Sequence, residues 1–402
     1  MNGFKHGIII ATLLLTSCTV FSATRIVLWH SYRGQEKNAL EKIVNQYNIS
    51  QQKNRVETLQ VPHDAYPDKI SAAIPRGKGP DIFIFAQDRI GDWAAKDVIQ
   101  PIGFWVTDEL KEKFFPLTID ALTYNDELYG LPTSFKCTAL YYNRELLATP
   151  PKNTDELIQL GKKLTDHEAK KFGLVYENGL LYYNSLWIYG FGGGLFDENQ
   201  NPTIDSSENA EALTFSRNLL RKYKIMPEEI SNSLVKSLFN EGKAAMVISG
   251  PWFRAEIADD IDYGVHQLPV ITHTSKPATP FLTVEAYMMS AQTDHPLEAF
   301  EVMKTLTSYD NAIVMAAEGK QPVAVTAAFD HKIVKSDPWI NVFKKQLEHS
   351  VAMPAFPEMR MIWTPMDIAI TKILNKGVEP SIALSEAQAK VEKDIKLYRK
   401  LK

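Results

Sequence analysis

A carboxylate and a guanidinium, Asp88 and Arg89, stand next to each other shortly after the aromatic side chain of Phe85. The run from Ile82 to Phe85 is continuously apolar, which is typical of a strand buried on both faces in a parallel sheet. In open α/β sheets, ligands occupy the crevice beyond the carboxyl ends of the strands. An aromatic face beside two charged hydrogen-bonding groups suits a ligand with apolar C–H faces and many hydroxyls, such as a sugar. The alternative is a buried strand followed by an ordinary surface ion pair.

The loop after the first predicted strand is also polar, with the residues His30, Ser31, Tyr32 and Arg33. It lies at the carboxyl end of its strand, as Asp88 does. Because the carboxyl ends of parallel strands meet at one edge of a sheet, we expect Ser31 and Arg33 to line the same crevice as Phe85.

The elements that position these side chains alternate between strand and helix in residues 25–98. The predicted strands are Arg25–Trp29, Val56–Val61 and Asp81–Phe85, and the predicted helices are Glu36–Asn48, Pro67–Ile74 and Arg89–Val98. This alternation predicts a parallel sheet with right-handed crossovers.

A change of pattern follows, in which residues 128–143 are extended and β-rich. We interpret this segment as the chain crossing into a second lobe. A new α/β series begins with a helix that Asn153 and Glu156 cap and that ends near Leu164. The strand Ala244–Ile248 belongs to this series, and Phe281–Ser290 is predicted to be another crossing strand.

Aromatic residues recur at predicted strand ends and helix starts, beside Pro, Gly or polar residues. They are Phe85, the pair Tyr182 and Tyr183, Trp252, and Trp363. Trp252 follows a Gly-Pro break after a predicted strand, which repeats the arrangement around Phe85. Taken singly, each aromatic is more often a core residue than a platform for a ligand.

Length and composition narrow the class of protein. The chain has 402 residues, enough for two domains with substantial cores, and a formal net charge of −4, which gives no reason to expect a nucleic acid or an anionic membrane surface as partner. Its two cysteines, Cys18 and Cys137, cannot form a disulfide framework. The nine histidines are scattered without ligand spacing, so we expect no metal and no cofactor.

The N-terminus predicts export. Lys5 precedes the apolar run Ile8–Leu15, which is too short to span a bilayer and is typical of a signal peptide. We assign residues 1–23 to this signal peptide, and two cleavage sites remain open. The segment Leu15–Cys18 resembles a lipoprotein cleavage box, which would leave a lipid anchor on Cys18. Ordinary cleavage after Ser22 or Ala23 would leave an unanchored periplasmic protein.

A series of motifs in fixed order runs from about Thr24 to the end of the chain. It includes Gly79-Pro80-Asp81-Ile82, Phe115-Pro116-Leu117-Thr118, Leu140-x-Tyr142-Asn143, Phe239-Asn240-x-Gly242, Gly250-Pro251-Trp252, Tyr263-Gly264-Val265 and Met353-Pro354-x-x-Pro357. In this order the motifs resemble those of the maltose/maltodextrin-type periplasmic solute-binding proteins of ABC sugar importers, in extracellular solute-binding protein family 1.

The resemblance implies a type II periplasmic-binding-protein fold: two α/β lobes, each a mostly parallel sheet flanked by helices, that close on a ligand in the cleft between them by hinge rotation. The N-terminal lobe would comprise residues 24–134 and 284–335, and the C-terminal lobe residues 135–283 and 336–402. The family's partners are a small sugar and an inner-membrane ABC permease, and we expect a monomer.

The resemblance also implies roles for single residues. Phe85, Tyr182, Tyr183, Trp252 and Trp363 match positions that stack on glucosyl rings, and Asp88 and Arg89 match polar sugar ligands. Arg33 lies near a basic residue of the first loop, although a one-residue insertion blurs that match. Two positions depart from the family's pattern, because Lys136 and Leu180 stand where glutamates are expected. Replacing a carboxylate by an ammonium exchanges an acceptor-only group for a donor-only group, which would change the hydroxyls recognised or favour an acidic sugar.

Three other functions compete with a receptor for a gluco-oligosaccharide. The ligand could be another di- or oligosaccharide or an acidic sugar. A glycoside-acting enzyme would need two carboxyl groups that flank one bond, one of them with a raised pKa. Asp88 is followed by Arg89, which we expect to hold its pKa down, and nothing in the sequence pairs Glu285 with Asp88. A surface adhesin gains support only from the lipoprotein motif.

Overall fold

The structure is a computed structural model that describes residues 23–401, so the predicted leader up to residue 22, with the Leu15–Cys18 motif, lies outside the described residues. The strands are β1 (Thr24–His30), β2 (Asn54–Gln60), β3 (Ile82–Ala86), β4 (Thr123–Tyr124), β5 (Glu127–Leu128), β6 (Gly130–Lys136), β7 (Ala139–Asn143), β8 (Phe172–Val175), β9 (Ala244–Ser249), β10 (Tyr263–His266), β11 (Val270–Ile271), β12 (Lys276–Pro277), β13 (Phe281–Met289) and β14 (Val351–Ala352).

The α-helices are α1 (Gly34–Ser50), α2 (Tyr66–Ala73), α3 (Ile90–Ala94), α4 (Asp108–Lys111), α5 (Pro116–Asp120), α6 (Thr154–Leu164), α7 (Leu181–Gly190), α8 (Ser207–Arg221), α9 (Asn232–Asn240), α10 (Pro296–Leu306), α11 (Tyr309–Ala317), α12 (Lys332–Lys335), α13 (Pro338–Leu347), α14 (Trp363–Lys376) and α15 (Pro380–Leu401). Short 3₁₀ turns occur at His63–Ala65, Ile74–Arg76, Gln87–Arg89, Gly103–Trp105, Pro251–Glu256, Thr326–Asp330 and Pro357–Met361.

The first sheet has the strand order β14-β13-β3-β1-β2, with β6 beside β13. Strands β1, β2 and β3 are parallel, as their alternation with helices predicts. Ile82 and Phe83 are fully buried in β3 and lie opposite Leu28 and Trp29 of β1. The apolar run from Ile82 to Phe85 is therefore a central strand covered on both faces.

The second sheet, β10-β7-β9-β8, is mixed rather than mostly parallel as expected. Only β8 and β9 run parallel, whereas β7 is antiparallel to both β9 and β10. The reason lies in how the chain enters this lobe. β7 follows β6 after only Cys137 and Thr138, so it runs away from the first sheet, whereas β9 runs back and ends at the Gly250-Pro251-Trp252 segment.

Three extended segments join the two sheets. The chain crosses from β6 to β7, returns along β13, and crosses again in the segment that contains β14. β13 pairs with β6 along most of its length and with β14 at its start. The side chain of Gln87 ties this junction together, since its Nε2 donates to the carbonyl of Leu282 at 3.1 Å and its Oε1 accepts from the amide of Val284 at 2.7 Å.

The four helices predicted above from local signals correspond to α1, α2, α3 and α6. The side chain of Asn153 accepts a hydrogen bond from the amide of Glu156 at 2.9 Å at the start of α6, which confirms the predicted cap. The helix predicted over Arg89–Val98 is shorter, because α3 ends at Ala94 and Asp97 has a positive φ of 50°. Helix α7 was not predicted. Nearly all of its residues are buried, so its sequence lacks a polar face and therefore a helical period.

No helix among residues 23–401 is long and apolar enough to span a membrane. Within the same residues, no group of three or more His, Cys, Asp or Glu side chains is placed to hold a metal ion.

Candidate functional site

A cavity of about 640 Å³ lies between the two sheets. Seven of the residues singled out from the sequence line it together: Phe85, Asp88, Arg89, Lys136, Tyr182, Trp252 and Trp363. They come from the end of β3 and the turn after it, the end of β6, the first turn of α7, the turn after β9, and the first residue of α14. Most of these positions are strand ends or helix starts, and the two lobes contribute them jointly.

Three other predicted residues are not part of the lining. The hydroxyl of Ser31 lies 3.4 Å from Nδ1 of His63, which does line the cavity, so Ser31 is at the rim. Arg33 is exposed at the start of α1. Tyr183 is only 6% exposed, because successive residues of a helix point about 100° apart and Tyr182 takes the direction of the cavity.

The aromatic rings around the cavity are held by neighbouring rings. The rings of Tyr182 and Trp252 lie 6.0 Å apart, centre to centre, and Phe85 packs edge to face between Tyr66 at 5.6 Å and Trp93 at 5.0 Å. Such contacts fix ring orientation at little cost in conformational entropy. The cavity therefore presents rigid apolar faces rather than mobile side chains.

The turn after β3 carries the ion pair of Asp88 and Arg89, whose Oδ2 and Nε lie 3.6 Å apart. Burial raises the pKa of the Asp88 carboxyl, and the nearby Arg89 opposes this without cancelling it. The expectation that Arg89 holds the pKa of Asp88 below its ordinary value was therefore wrong. The sequence shows that the two charges are neighbours, but desolvation depends on what covers them.

A second ion pair lies on the two crossing strands. Nζ of Lys136 is 2.7 Å from Oε1 of Glu285, and both side chains are about one-fifth exposed in the cavity wall, at 22% and 17%. Burial lowers the pKa of Lys136, but the carboxylates of Glu285 and Glu36 raise it by more, so the pKa lies above its ordinary value. Lys136 is therefore charged and has a counter-ion within the protein.

Glu36, in the first turn of α1, extends this charged group. Burial raises its pKa from the ordinary 4.5 to about 7, with a smaller lowering by Lys136 and a raising by Glu285. The side-chain amide of Gln321 donates a hydrogen bond to its carboxyl group. Glu36 therefore changes its charge near neutral pH.

Sequence reasoning missed several lining residues, among them His63, Asp64, Thr283, Glu285 and Met353. In the sequence, Glu285 is an acid without an evident partner. The signal that could have found it is the crossing of β6 and β13, because two such strands must run side by side through the hinge. Leu180, the second departure from the family's pattern, is 39% exposed just before α7 and does not line the cavity.

The structure has two lobes joined by three crossing segments. The cavity between the lobes combines aromatic faces with charged hydrogen-bonding groups. This fold and this site define the class of receptors that enclose a small polar solute. The family model described as "Bacterial extracellular solute-binding protein" matches residues 33–313, which is more than half of the chain. The chain belongs to this family.

Known relatives are similar over nearly the whole chain. A maltotriose-binding protein of Pyrococcus abyssi is 29% identical over 382 residues, covering 92% of this chain and 82% of the relative. A galactooligosaccharide-binding protein of Bacillus subtilis is 27% identical, covering 93% and 90%. The crystal structure of a cyclo/maltodextrin-binding protein complexed with maltotetraose superposes with a TM-score of 0.86 at 28% identity, covering 93% of this chain and 97% of that one. This agreement confirms the two-lobed fold.

Proposed function

We propose that this protein captures a neutral gluco-oligosaccharide of the maltose/maltodextrin type and presents it to an inner-membrane ABC permease. One observation carries the proposal: Trp252, Tyr182 and Trp363 share a single interlobe cavity with the ion pair of Asp88 and Arg89. Aromatic faces cover the apolar side of a pyranose ring, while charged groups form geometrically selective hydrogen bonds to its hydroxyls. The names of two relatives, the maltotriose-binding protein of Pyrococcus abyssi and a maltodextrin-binding protein of Bacillus subtilis, support a glucose oligomer, whereas the galactooligosaccharide-binding protein names the competing sugar.

Charge balance favours a neutral ligand over an acidic sugar. Lys136 is paired with Glu285, and Arg89 lies beside Asp88. An anionic sugar would meet cations that are already compensated, and Glu36 stands close to Lys136 as a further acid. Lys136 was the reason to consider an acidic sugar, and because it is already paired it offers no free positive charge to one.

We also propose the lobe boundaries of the resemblance, residues 24–134 with 284–335 and residues 135–283 with 336–402. The proposal is supported by the position of α13, which packs against β7 and β10 of the second sheet. We further propose that the lobes close by rotation about the three crossing segments, that the protein acts as a monomer and that it is exported to the periplasm, as the family's mode of action implies.

A lipid anchor on Cys18 is tested by labelling with a radioactive fatty acid. If the anchor is present, a Cys18→Ser variant should abolish the labelling.

The test of the proposed ligand is calorimetric titration of the mature protein with maltose, maltotriose, trehalose, sucrose, galactooligosaccharides and uronic-acid sugars. We expect binding of α-linked gluco-oligosaccharides. A ligand at a hundred times its dissociation constant also stabilises the fold by about 2.7 kcal/mol, so the melting temperature gives an independent measure. Binding of galactooligosaccharides alone would reassign the sugar. The absence of binding to any neutral sugar would overturn the proposal.

We propose that the protein is not an enzyme. The raised pKa of Asp88 is the one observation that favours a glycoside hydrolase, because a general acid needs it. A hydrolase also needs a second carboxylate free to act on the same bond. Glu285 is committed to Lys136, so Asp64, which also lines the cavity, is the second carboxylate that the incubation below tests together with Asp88. We expect maltotriose to remain intact after overnight incubation with the protein. Release of glucose that an Asp88→Asn variant abolishes would establish catalysis instead.

A further inference from the structure

The strand pairing at the hinge places four polar side chains on one face. In the antiparallel pair of β6 and β13, Lys136 lies opposite Thr283 and Ser134 lies opposite Glu285. Side chains two residues apart on a strand point to the same face, so Lys136 and Glu285 are diagonal neighbours and can meet. Thr283, Lys136 and Glu285 all line the cavity.

An irregularity in the pairing accompanies this arrangement. The register shifts between Glu285 and Ala286, so that Thr133 of β6 has no direct partner on β13. The hydroxyl of Thr133 donates instead to the backbone carbonyl of Glu285 at 3.0 Å. Bulges of this kind bend a strand and re-aim its side chains, and they are frequent beside functional sites.

The carboxylate of Glu285 is held by three side chains. Oε1 accepts from Lys136 at 2.7 Å, while Oε2 accepts from the hydroxyls of Ser134 at 3.2 Å and Tyr32 at 3.3 Å. A carboxylate offers about four acceptor sites and an ammonium three donors. One acceptor on Glu285 and two donors on Lys136 therefore remain for a ligand, and a sugar hydroxyl can both donate and accept.

We infer that Lys136 and Glu285 act as one specificity-determining unit, in which Lys136 offers donors and Glu285 an acceptor to the sugar hydroxyls. The inference rests on the proposed function and deepens it, since it names the residue that sorts neutral from acidic sugars. Lys136 and Glu285 lie on opposite sides of the proposed lobe boundary, but on two paired strands at the hinge. Rotation displaces atoms near its axis least, so the pair forms a floor for the ligand that closure disturbs little. Its internal neutrality selects uncharged sugars.

The test compares variants in calorimetric titrations with maltotriose and with a uronic-acid disaccharide. Glu285→Gln keeps the shape but removes the charge. Hydrogen bonds to charged groups are the strong ones, so we expect the dissociation constant for maltotriose to rise about ten- to a hundredfold. The ratio of acidic-sugar to maltotriose affinity should rise by more than about tenfold, because Lys136 is then a cation without its counter-ion.

A charge exchange separates recognition from folding. Lys136→Glu alone brings a third carboxylate beside Glu285 and Glu36 and should weaken maltotriose binding more than about tenfold. The double variant Lys136→Glu with Glu285→Lys restores the pair in reverse and should recover most of the lost affinity. A purely structural defect would instead lower the melting temperature of the ligand-free single variant in step with its affinity. Circular dichroism and melting curves confirm that each variant is folded.

A matched control is the ion pair of Arg144 and Asp262, which has the same 2.7 Å length but lies outside the cavity. Asp262→Asn should leave both affinities unchanged. If wild-type protein binds maltotriose and Glu285→Gln binds it with the same affinity and the same neutral-to-acidic ratio, the inference is overturned while the proposed function stands. If the wild-type protein binds no sugar, both fail.

Discussion

The carboxylate of Asp92 in α3 lies 2.8 Å from the guanidinium of Arg360, in the turn just before α14. This contact joins the part of the chain that follows β3 to the part that carries Trp363. The backbone confirms how closely the two parts meet, since the amide of Gly91 donates to the carbonyl of Ala355 at 2.9 Å. A Cβ on Gly91 would lie 2.7 Å from that oxygen, so only glycine fits there.

Replacing Asp92 by Asn should loosen this junction. Asp92 is 9% exposed and also pairs with Lys96 at 2.8 Å, so the variant leaves two cations without their carboxylate. We expect the free energy of unfolding in urea to fall by about 1–2 kcal/mol. The control Lys96→Met removes only the more exposed of the two partners and should cost less than about 0.5 kcal/mol. Equal effects of the two variants would contradict a structural role for the contact with Arg360.

A methyl group at Gly250 should displace the Trp252 ring. A Cβ at this position would lie 2.1 Å from Cζ3 of the indole, whereas the backbone at φ −93° accepts any residue. The ring must rotate, so we expect Gly250→Ala to weaken sugar binding about tenfold with less than about 1 kcal/mol of lost stability. Calorimetric titration measures the affinity, and urea unfolding followed by tryptophan emission measures the stability.

The control for this variant is Gly179→Ala, because a Cβ there would meet no atom within 4 Å. Its sugar affinity should match that of the wild type. A Gly250→Ala protein that binds maltotriose as tightly as the wild type would show that the position of the Trp252 ring does not govern recognition.

The pKa of Glu36 predicts a pH dependence of stability. The folded protein releases this proton near pH 7, whereas the unfolded chain does so near 4.5. Between these values the native state holds a proton that the unfolded state lacks, so this contribution to stability is present below pH 4.5 and is lost as the pH rises to about 7. Urea unfolding of Glu36→Gln over this range should show a smaller decline than the wild type.

Lys136, Glu285 and Gln321 face Glu36 and influence its pKa, so the experiment reports on Glu36 together with these neighbours. The matched control is Glu241→Gln on the surface, where hydrogen bonds from Lys243 and Ser237 lower the pKa of Glu241. Its titration falls below the window of interest, so this control should decline with pH as the wild type does. Parallel curves for the wild type and Glu36→Gln would show that Glu36 titrates normally in the folded protein.

Gln87 should be a stability determinant rather than a sugar ligand. Its side chain is fully buried and bonds to the backbone of Leu282, Val284 and Met353. Gln87→Met removes all three hydrogen bonds. The carbonyl of Leu282 keeps its bond from the amide of Met353, but the amide of Val284 loses the acceptor that Gln87 gives it, and we expect a loss of about 2–4 kcal/mol in urea unfolding. Gln267→Met, at a half-buried glutamine that bonds only to the carbonyl of Lys345, should cost less than about 1 kcal/mol. Similar costs for the two variants would refute the assignment.

Elements marked by local chemistry could be predicted from the sequence. The apolar run of β3, the Asn153 cap of α6 and the break before Trp252 each depend on residues within a few positions of one another. The ordered motifs are also short segments, and their resemblance to those of the solute-binding proteins predicted the family. Helix α7 was not predicted, because a helix buried on nearly all sides has no polar face and so shows no helical period in its sequence.

Direction and burial could not be read from the same signals. Tyr182 and Tyr183 are equivalent in sequence, yet only Tyr182 faces the cavity. Asp88 and Arg89 are visibly adjacent, but burial, which local sequence does not record, determines the direction in which the pKa of Asp88 moves. The antiparallel course of β7 depends on where the chain enters the second lobe.

The sequence by itself determined the alternation of strands and helices, the crossing into a second lobe and the aromatic residues at strand ends, because periodicity, caps and Gly-Pro breaks act over short distances. The class of solute receptors followed from the resemblance of its ordered motifs to those of a known family. Only the tertiary structure decided that Lys136 meets Glu285, which is 149 residues away along the chain. That contact depends on the register of two crossing strands, and register arises when long-range strand pairing and burial select one alignment among several.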